Sequence, residues 1–259
     1  MLPEREAPAL VVSASPLGEV AARVHVLTEA QGLVRGVAPA GTSRAGRALW
    51  QPGNVVKTDM RQRGEGSMPS LSGEVLYACA ARLLEAPLAL ALLQSACALL
   101  DTSLPEREAC PFLFGETLRL LTFLGYDADV AERTGVPLYI RWEQVLLQTL
   151  GFGLDLSRCA ATGAQTGLAY VSPRTGRAVS QDGAGPWRDR LLPLPAFLLS
   201  EQDDGCLSDW HAGLGLNGYF LERDVYGQRH RPMPAARQRL AARIAAQVER
   251  AGTEDAPAR

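Results

Sequence analysis

The hydrophobic pattern of this 259-residue chain changes its period near residue 80. Before that point, apolar residues alternate with polar ones in short segments separated by Gly and Pro, which is typical of half-buried β-strands. After it, apolar residues recur at the three- to four-residue spacing of amphipathic helices. A chain in which strands come first and helices follow favours two consecutive domains of different class, an α+β organisation.

Five short strands are predicted before residue 80, with no helix between them. Five strands of this length suit a small closed barrel, and the OB-fold is the commonest barrel of that kind, although an SH3-like barrel has a similar pattern. The predicted strands cover residues 8–14, 20–28, 32–37, 53–60 and 73–80.

The rest of the chain is predicted to be a helical domain with one small insert. Pro87 suits the first turn of a helix, and further helices are predicted at residues 111–124, 136–150, 191–199, 209–221 and 234–248. Residues 157–187 are rich in Gly and Pro and predict a hairpin. The predicted domains are therefore residues 1–80 and 81–250, with a disordered tail at 251–259.

Composition and targeting signals favour a cytoplasmic protein. Apolar residues make up 47% of the chain, enough to build a core. The first ten residues are charged and lack an apolar segment, so no signal peptide is predicted. The most apolar stretch, residues 86–100, is shorter than the roughly 20 residues of a membrane span. Five scattered cysteines indicate free thiols in a reducing compartment.

The net charge of −2 hides an uneven distribution. Residues 32–64 hold six basic residues and one acid, residues 83–220 hold nine bases and 16 acids, and residues 221–250 hold seven bases and three acids. A local basic stretch is the electrostatic feature expected of a nucleic-acid surface. The alternative is that these arginines are solvated side chains on loops.

Basic side chains in the first and last of these segments are the predicted phosphate contacts, because guanidinium groups bind phosphate through two parallel hydrogen bonds. Residues 41–50 form a loop of small residues that carries two of the arginines and ends in Trp50. Trp50 is either a base-stacking side chain or a buried turn anchor. The predicted DNA contacts are Arg35, Arg44, Arg47, Lys57, Arg61, Arg63, Arg229, Arg231, Arg237 and Arg239.

No catalytic constellation or cofactor site emerges from the sequence. Residues 213–218 (GLGLNG) match a dinucleotide-binding pattern, but a polar loop precedes them where that site needs a strand, so close helix packing explains the glycines better. His25, His211 and His230 have no recognisable nucleophile or acid partner. Cys159 has no second Cys or His within 45 residues, so no metal is predicted. We predict a protein that is not an enzyme and holds no cofactor.

Four ordered stretches resemble the RecO family of bacterial DNA repair and recombination mediators. They are residues 24–41 (VHVLTEAQGLVRGVAPAG), 49–56 (LWQPGNVV), 139–163 (YIRWEQVLLQTLGFGLDLSRCAATG) and 231–240 (RPMPAARQRL). The third is the most specific, because it combines a helix, a Gly stop and a Leu-Asp-Leu-x-x-Cys turn. Together the four stretches span nearly the whole chain.

The resemblance implies an N-terminal OB-fold and a C-terminal helical domain in a non-enzymatic, nucleoid-associated protein. It implies binding of single- and double-stranded DNA, annealing of complementary strands, and work with RecR to load RecA onto DNA coated by single-strand DNA-binding protein. Some RecO-like proteins carry a four-cysteine zinc site. Here its positions fall on Cys159, Thr162, Ser180 and Gly183, so the resemblance implies a hairpin without zinc.

A partner site is expected on the helical domain. The acidic, apolar-ended tail of single-strand DNA-binding protein needs a basic-rimmed apolar groove. The candidate residues for that groove are Arg119, Arg133, Arg141 and Leu138. A rival hypothesis is an interaction scaffold whose OB-fold binds protein rather than DNA, which the acidic middle of the chain favours.

Overall fold

The computed structural model describes residues 7–62, 64, 66–200 and 202–254. The chain divides into two compact units, Met1–Gly135 and Val136–Arg259. Among the described residues, each helix is either too short or too polar to span a bilayer.

A closed five-stranded barrel forms the start of the first unit, which confirms the predicted OB-fold. The strand order is β1-β2-β3-β5-β4, with β4 closing back on β1. All neighbours are antiparallel except β3 and β5, which meet in parallel where Val37 pairs with Ser70. The strands are β1 (Ala7–Leu17), β2 (Ala21–Thr28), β3 (Gly32–Ala38), β4 (Asn54–Arg61) and β5 (Ser70–Ala78).

The barrel core is built by the alternation that the sequence shows. Val24 and Val26 on β2 point inward with Val34 on β3 and Val56 on β4, and all four are fully buried. Trp50 joins this cluster with 3% of its surface exposed. Its role as a buried turn anchor is therefore confirmed, and base stacking on this side chain is excluded.

The segment between β3 and β4 is helical and not the loop that the small residues predict. Helix α1 (Arg44–Leu49) begins after Ser43, whose hydroxyl accepts a hydrogen bond from the Gly46 amide at 3.0 Å. A serine in this position satisfies an amide that a helix start leaves unpaired. The cap thus stabilises a helix of six residues that its composition alone does not predict.

Three helices follow the barrel within the first unit: α2 (Cys79–Arg82), α3 (Pro87–Ser103) and α4 (Pro111–Tyr126). Helix α3 packs on β1, and the His25 Nδ1 atom of β2 lies 2.5 Å from an Asp101 carboxylate oxygen on α3. The boundary predicted at residue 80 follows the change from strands to helices, whereas the compact unit continues to Gly135. Helix α5 (Ala128–Thr149) begins in the first unit and ends in the second.

The second unit combines helices with a small three-stranded sheet. Strands β6 (Leu168–Val171) and β7 (Ala178–Ser180) form the predicted hairpin, and β8 (Leu192–Pro193) pairs with β6. The prediction of a helix over residues 191–199 is wrong, because two prolines remove backbone donors there and leave β8 and a short 3-10 turn. The remaining helical elements are α6 (Gln181–Ala184), α7 (Leu207–Phe220), α8 (Ala235–Glu254), a π-helical stretch (Leu221–Tyr226) and 3-10 turns at Gly185–Arg190, Ala196–Leu198 and Gly227–Arg229.

Candidate nucleic-acid interface

The basic residues of the barrel do not form one continuous patch. Arg44 and Arg47 lie on α1, at the end of the barrel where β3 ends and β4 begins. Arg61 lies at the opposite end, where β4 ends and β3 begins, and Arg35 lies on β3. The fold therefore separates residues that the sequence places in a single basic stretch.

The α1 pair, Arg44 and Arg47, presents two exposed cations. Arg47 Nε donates a hydrogen bond to the Thr42 carbonyl at 2.8 Å, which fixes a side chain that stays exposed. Neither arginine pairs with an acid among the described residues. Arg47 also lines a groove of about 400 Å³ beside Pro16 and Pro52. The α1 pair is thus a candidate phosphate contact.

The opposite end carries a second basic cluster, in which most charges are partly compensated. Arg61 pairs with Asp59 at 2.8 Å, and Arg35 Nη1 lies 3.6 Å from a Glu106 carboxylate oxygen. The Arg35 Nε atom is buried without a hydrogen-bond partner among the described residues. Arg107 joins these side chains around two adjoining cavities of about 540 and 490 Å³. We refer to Arg35, Arg61 and Arg107 as the Arg107 cluster.

Arg107 is a residue that sequence reasoning missed. It follows α3 in a segment that counts as acidic, and only the fold brings it to the barrel. Its amide donates to the Leu33 carbonyl at 2.9 Å, which fixes the segment against the start of β3. Its φ of 63° is a left-handed conformation that L-residues adopt at a cost of about 1–3 kcal/mol. No feature of the sequence marks this position, because the left-handed backbone of Arg107 is visible only in the structure.

Lys57 and Arg63 stay predictions as DNA contacts on the barrel. Lys57 is half-buried on β4, opposite Glu74 in the strand register. Arg63 lies outside the described residues.

The four C-terminal arginines differ sharply in exposure. Arg229, Arg231 and Arg239 are exposed. Arg237 is 1% exposed, and its guanidinium donates to Glu143 through Nε and, at 3.1 Å, through Nη2. Nη2 also donates to the Leu214 carbonyl at 2.8 Å. Burial opposes the charged form, but the neighbouring Glu143 carboxylate outweighs it and raises the pKa of Arg237 above its ordinary value. Arg237 is therefore a structural residue and not a phosphate contact.

Family comparisons agree with this architecture. The family model named recombination protein O N terminal matches residues 1–78 of this chain. The family model named recombination protein O C terminal matches residues 84–232. The chain belongs to the RecO family.

Bacterial relatives of similar length support the same assignment. A DNA repair protein RecO from Gluconacetobacter diazotrophicus is 56% identical over 237 residues, covering 92% of this chain and 93% of the relative. Those of Granulibacter bethesdensis and Acidiphilium cryptum are 49% and 44% identical, covering 95% and 96% of this chain and 97% and 98% of each relative. Membership of the RecO family gives the chain a role in DNA repair.

The four residues predicted for the partner site of this RecO-family chain differ in exposure and in the contacts that they make. Arg119 is exposed on α4, where it pairs with Glu116 at 2.9 Å, and Arg133 is exposed on α5. Leu138 is half-buried on α5. Arg141 instead donates through Nη2 to the carbonyls of Phe197, Ser200 and Asp203. Arg141 therefore binds the backbone at Phe197, Ser200 and Asp203 and is not an open cation.

The positions that match the zinc ligands of some RecO-like proteins meet in space. Cys159 Sγ accepts hydrogen bonds from the Thr162 amide at 3.4 Å and from the Ser180 amide and hydroxyl at 3.2 and 3.3 Å. A Cβ on Gly183 would lie 2.8 Å from the same sulfur. Burial raises the pKa of Cys159, but these hydrogen bonds outweigh it and lower the pKa to about 6. Hydrogen bonds to the Cys159 sulfur therefore occupy this position in the hairpin.

The glycines of residues 213–218 lie on α7, where the prediction of close packing holds for Gly213 and is wrong for Gly215, since nothing lies within 4 Å of a Cβ added to Gly215. For Gly213 the neighbours are close. A Cβ there would meet Ile140 and Phe197 at 3.1 Å. His211 and His230 are exposed. No group of three or more His, Cys, Asp or Glu side chains suited to a metal occurs in the part of the chain that the structure describes.

Proposed function

We propose that this RecO-family chain is a DNA-binding recombination mediator that anneals complementary strands. With RecR, it would help to load RecA onto DNA coated by single-strand DNA-binding protein. The observation that carries the DNA-binding step is the α1 pair, two exposed arginines at one end of an OB-fold barrel without acidic partners among the described residues. A cation placed there contacts phosphate without reading sequence.

Annealing requires no catalytic group in this mechanism. Two complementary strands repel each other through their phosphates, and bound arginines reduce that repulsion by neutralising charge. Because phosphate contacts are independent of sequence, the held strands stay free to test base pairing. The α1 pair and the Arg107 cluster, at opposite ends of the barrel, provide separate contacts for this step.

The α1 pair is tested by a salt series with a labelled single-stranded oligonucleotide. For single strands, the logarithm of affinity falls against the logarithm of salt concentration with a slope of about −0.7 per phosphate neutralised. Replacing both arginines (Arg44→Ala, Arg47→Ala) is expected to flatten that slope by about 1.4 and to weaken binding about 25-fold at 0.1 M salt. Fluorescence anisotropy across the series measures both quantities.

Arg119→Ala is the matched control for this experiment, because it removes an exposed arginine that pairs with Glu116. It is expected to leave the salt slope unchanged. If the double variant keeps the wild-type affinity and slope, the α1 pair does not contact DNA. If the wild-type protein shows no binding even at low salt, the DNA-binding step itself is wrong.

A separate prediction concerns the Arg107 cluster. The Arg107→Gly variant removes the side-chain charge and the backbone strain at this position together. Arg107→Gly relieves the left-handed strain, so thermal stability is expected to stay equal or rise by up to about 1 kcal/mol. Loss of one phosphate contact is expected to weaken DNA binding about fivefold at 0.1 M salt and to flatten the slope by about 0.7. Thermal melts and the same anisotropy series measure the two effects.

Arg107→Lys keeps both the charge and the strained backbone. It should retain most of the affinity and the full salt slope. Wild-type affinity in Arg107→Gly would remove Arg107 from the DNA path while leaving the α1 pair untouched.

We also propose the partner interactions of the family for this chain. The tail of single-strand DNA-binding protein would dock through carboxylates on exposed arginines of the helices, of which Arg119 and Arg133 are the available candidates. Arg141 is committed to backbone carbonyls and is not included. No enzymatic step is needed in this proposal.

A second candidate function is a scaffold whose barrel binds protein. Strand β5 favours it, because residues 72–76 are all exposed, and Val75 and Leu76 show 42% and 52% of their surface. Exposed apolar residues in a row are typical of protein-binding surfaces. The scaffold predicts partner assembly without salt-sensitive DNA affinity, so the salt series separates the two candidates.

A further inference from the structure

The second unit holds an open groove of about 620 Å³ beside the β6–β7 hairpin. Its small side chains are Ala160, Ala161 and Ala184, and its larger ones include Arg174, Trp187 and Arg190. Arg174 lies in the turn between β6 and β7, whereas Trp187 and Arg190 belong to the 3-10 turn after α6. Together with Ala160 and Ala161, which precede β6, three separate segments contribute to the groove.

Trp187 is the most informative residue of this groove. It has 59% of its surface exposed, although a tryptophan gains more free energy from burial than most side chains do. The Arg190 guanidinium lies 5.3 Å from the centre of its ring. A large exposed aromatic residue on the wall of an apolar groove is typical of a binding site.

The charged side chains that line the groove are all basic. No acidic side chain lines it among the described residues. Arg174, Arg188 and Arg190 are exposed, and none of them forms an ion pair within the described part of the chain. Arg188 lies over the Tyr170 ring at 5.8 Å, next to the groove. An anionic ligand with flat apolar groups is complementary to this surface.

We propose that this groove binds single-stranded nucleic acid by stacking a base on Trp187, with Arg174 and Arg190 contacting phosphates. The proposal rests on the proposed function as a DNA-binding mediator and adds a site outside the barrel. An exposed aromatic ring in a basic groove is the usual arrangement for binding single strands without sequence preference. The alanines leave a shallow surface that suits a planar base better than a bulky apolar side chain.

The test compares two oligonucleotides of equal length, oligo-dT and its abasic counterpart, against the full chain. Both carry the same phosphates, but only oligo-dT can stack. Trp187→Ala is expected to weaken oligo-dT binding about 5- to 100-fold and to leave abasic binding unchanged. Trp187→Phe keeps an aromatic ring and should retain most of the affinity. Because Trp187 is exposed, neither substitution is expected to change the melting temperature. Equal melting temperatures would show that both variants are folded.

Tryptophan emission provides a second readout that binding at the barrel does not mask. Trp50 and Trp142 are each 3% exposed, and Trp210 is half-buried with its indole N–H bonded to the Asp204 carbonyl. Trp187 is the most exposed of the four tryptophans, so stacking of a base is expected to quench mainly Trp187. Oligo-dT should quench the wild-type protein, and most of that quenching should be lost in Trp187→Phe. The double variant of the α1 pair should retain the quenching at saturating oligo-dT.

Three results would overturn the proposal. One is equal quenching in the wild-type protein and Trp187→Phe, and another is equal loss of both oligonucleotides in Trp187→Ala. The third is that Trp187→Ala loses only binding of a labelled peptide of four aspartates and two phenylalanines, which would make the groove a peptide site. In each case, oligo-dT binding by the wild-type protein would leave the proposed function standing, whereas its absence would remove that function as well.

Discussion

Replacing Arg237 with methionine is expected to destabilise the second unit by about 3–5 kcal/mol, because it leaves the Glu143 carboxylate buried without its partner. Both side chains of the pair are almost completely buried, at 2% and 0% exposure. Asn217, which donates to the Ile140 carbonyl at 2.8 Å, lies against the same carboxylate and cannot replace a positive charge. Urea denaturation followed by circular dichroism measures the loss of stability.

Two further variants separate the ion pair from the rest of α8. Arg239→Met alters an exposed arginine on the same helix and should change stability by less than about 0.5 kcal/mol. Replacing both members, as Arg237→Met with Glu143→Met, removes both buried charges and should recover most of the stability. A loss below about 1 kcal/mol in Arg237→Met alone would contradict the assignment of Arg237 to a structural role.

Replacing Gly32 with alanine is expected to destabilise the first unit by about 2–4 kcal/mol, from backbone strain and steric overlap together. Gly32 has a φ of 64°, and a Cβ there would lie 1.8 Å from the Glu108 carbonyl oxygen. The segment that carries Arg107 would have to move away from β3. DNA affinity should therefore fall along with thermal stability.

The Gly18→Ala variant separates the backbone strain from the steric overlap. Gly18 has nearly the same φ, 67°, but nothing lies within 4 Å of an added Cβ. This variant should lose only the conformational part, about 1–2 kcal/mol. If Gly32→Ala is no less stable than Gly18→Ala, the close approach of the Glu108 carbonyl does not contribute.

The strands of the barrel were predictable because each has one face in a closed core. Val24, Val26 and Val34 alternate with polar residues, and this period survives any arrangement of the strands around them. Helix α1 was not predictable, because its small residues are typical of a loop. The hydrogen bond that the Ser43 hydroxyl accepts from the Gly46 amide favours the helix, and that bond is visible only in the structure. Pro193 and Pro195 show the reverse case, where an apolar segment has helical spacing but lacks the donors.

The candidate interface was harder to predict than the fold. Charge in the sequence identified Arg44 and Arg47, which are exposed, but it also included Arg237, which is buried against Glu143. Exposure depends on tertiary packing, and a basic residue on an amphipathic helix does not reveal its partner across 94 positions. Arg107 was missed for the same reason, because its position beside the barrel depends on a close approach at Gly32.

The separation of the α1 pair from the Arg107 cluster limits what one strand can occupy. Strand β4 runs between them for eight residues, a distance of roughly 25 Å at about 3.3 Å per residue. A strand in B-form geometry advances about 3.4 Å per nucleotide, so about seven nucleotides are needed to reach both ends. Two shorter oligonucleotides can therefore bind the two ends of the barrel independently. A longer DNA strand that spans the barrel occupies both basic sites and competes there with a second DNA strand.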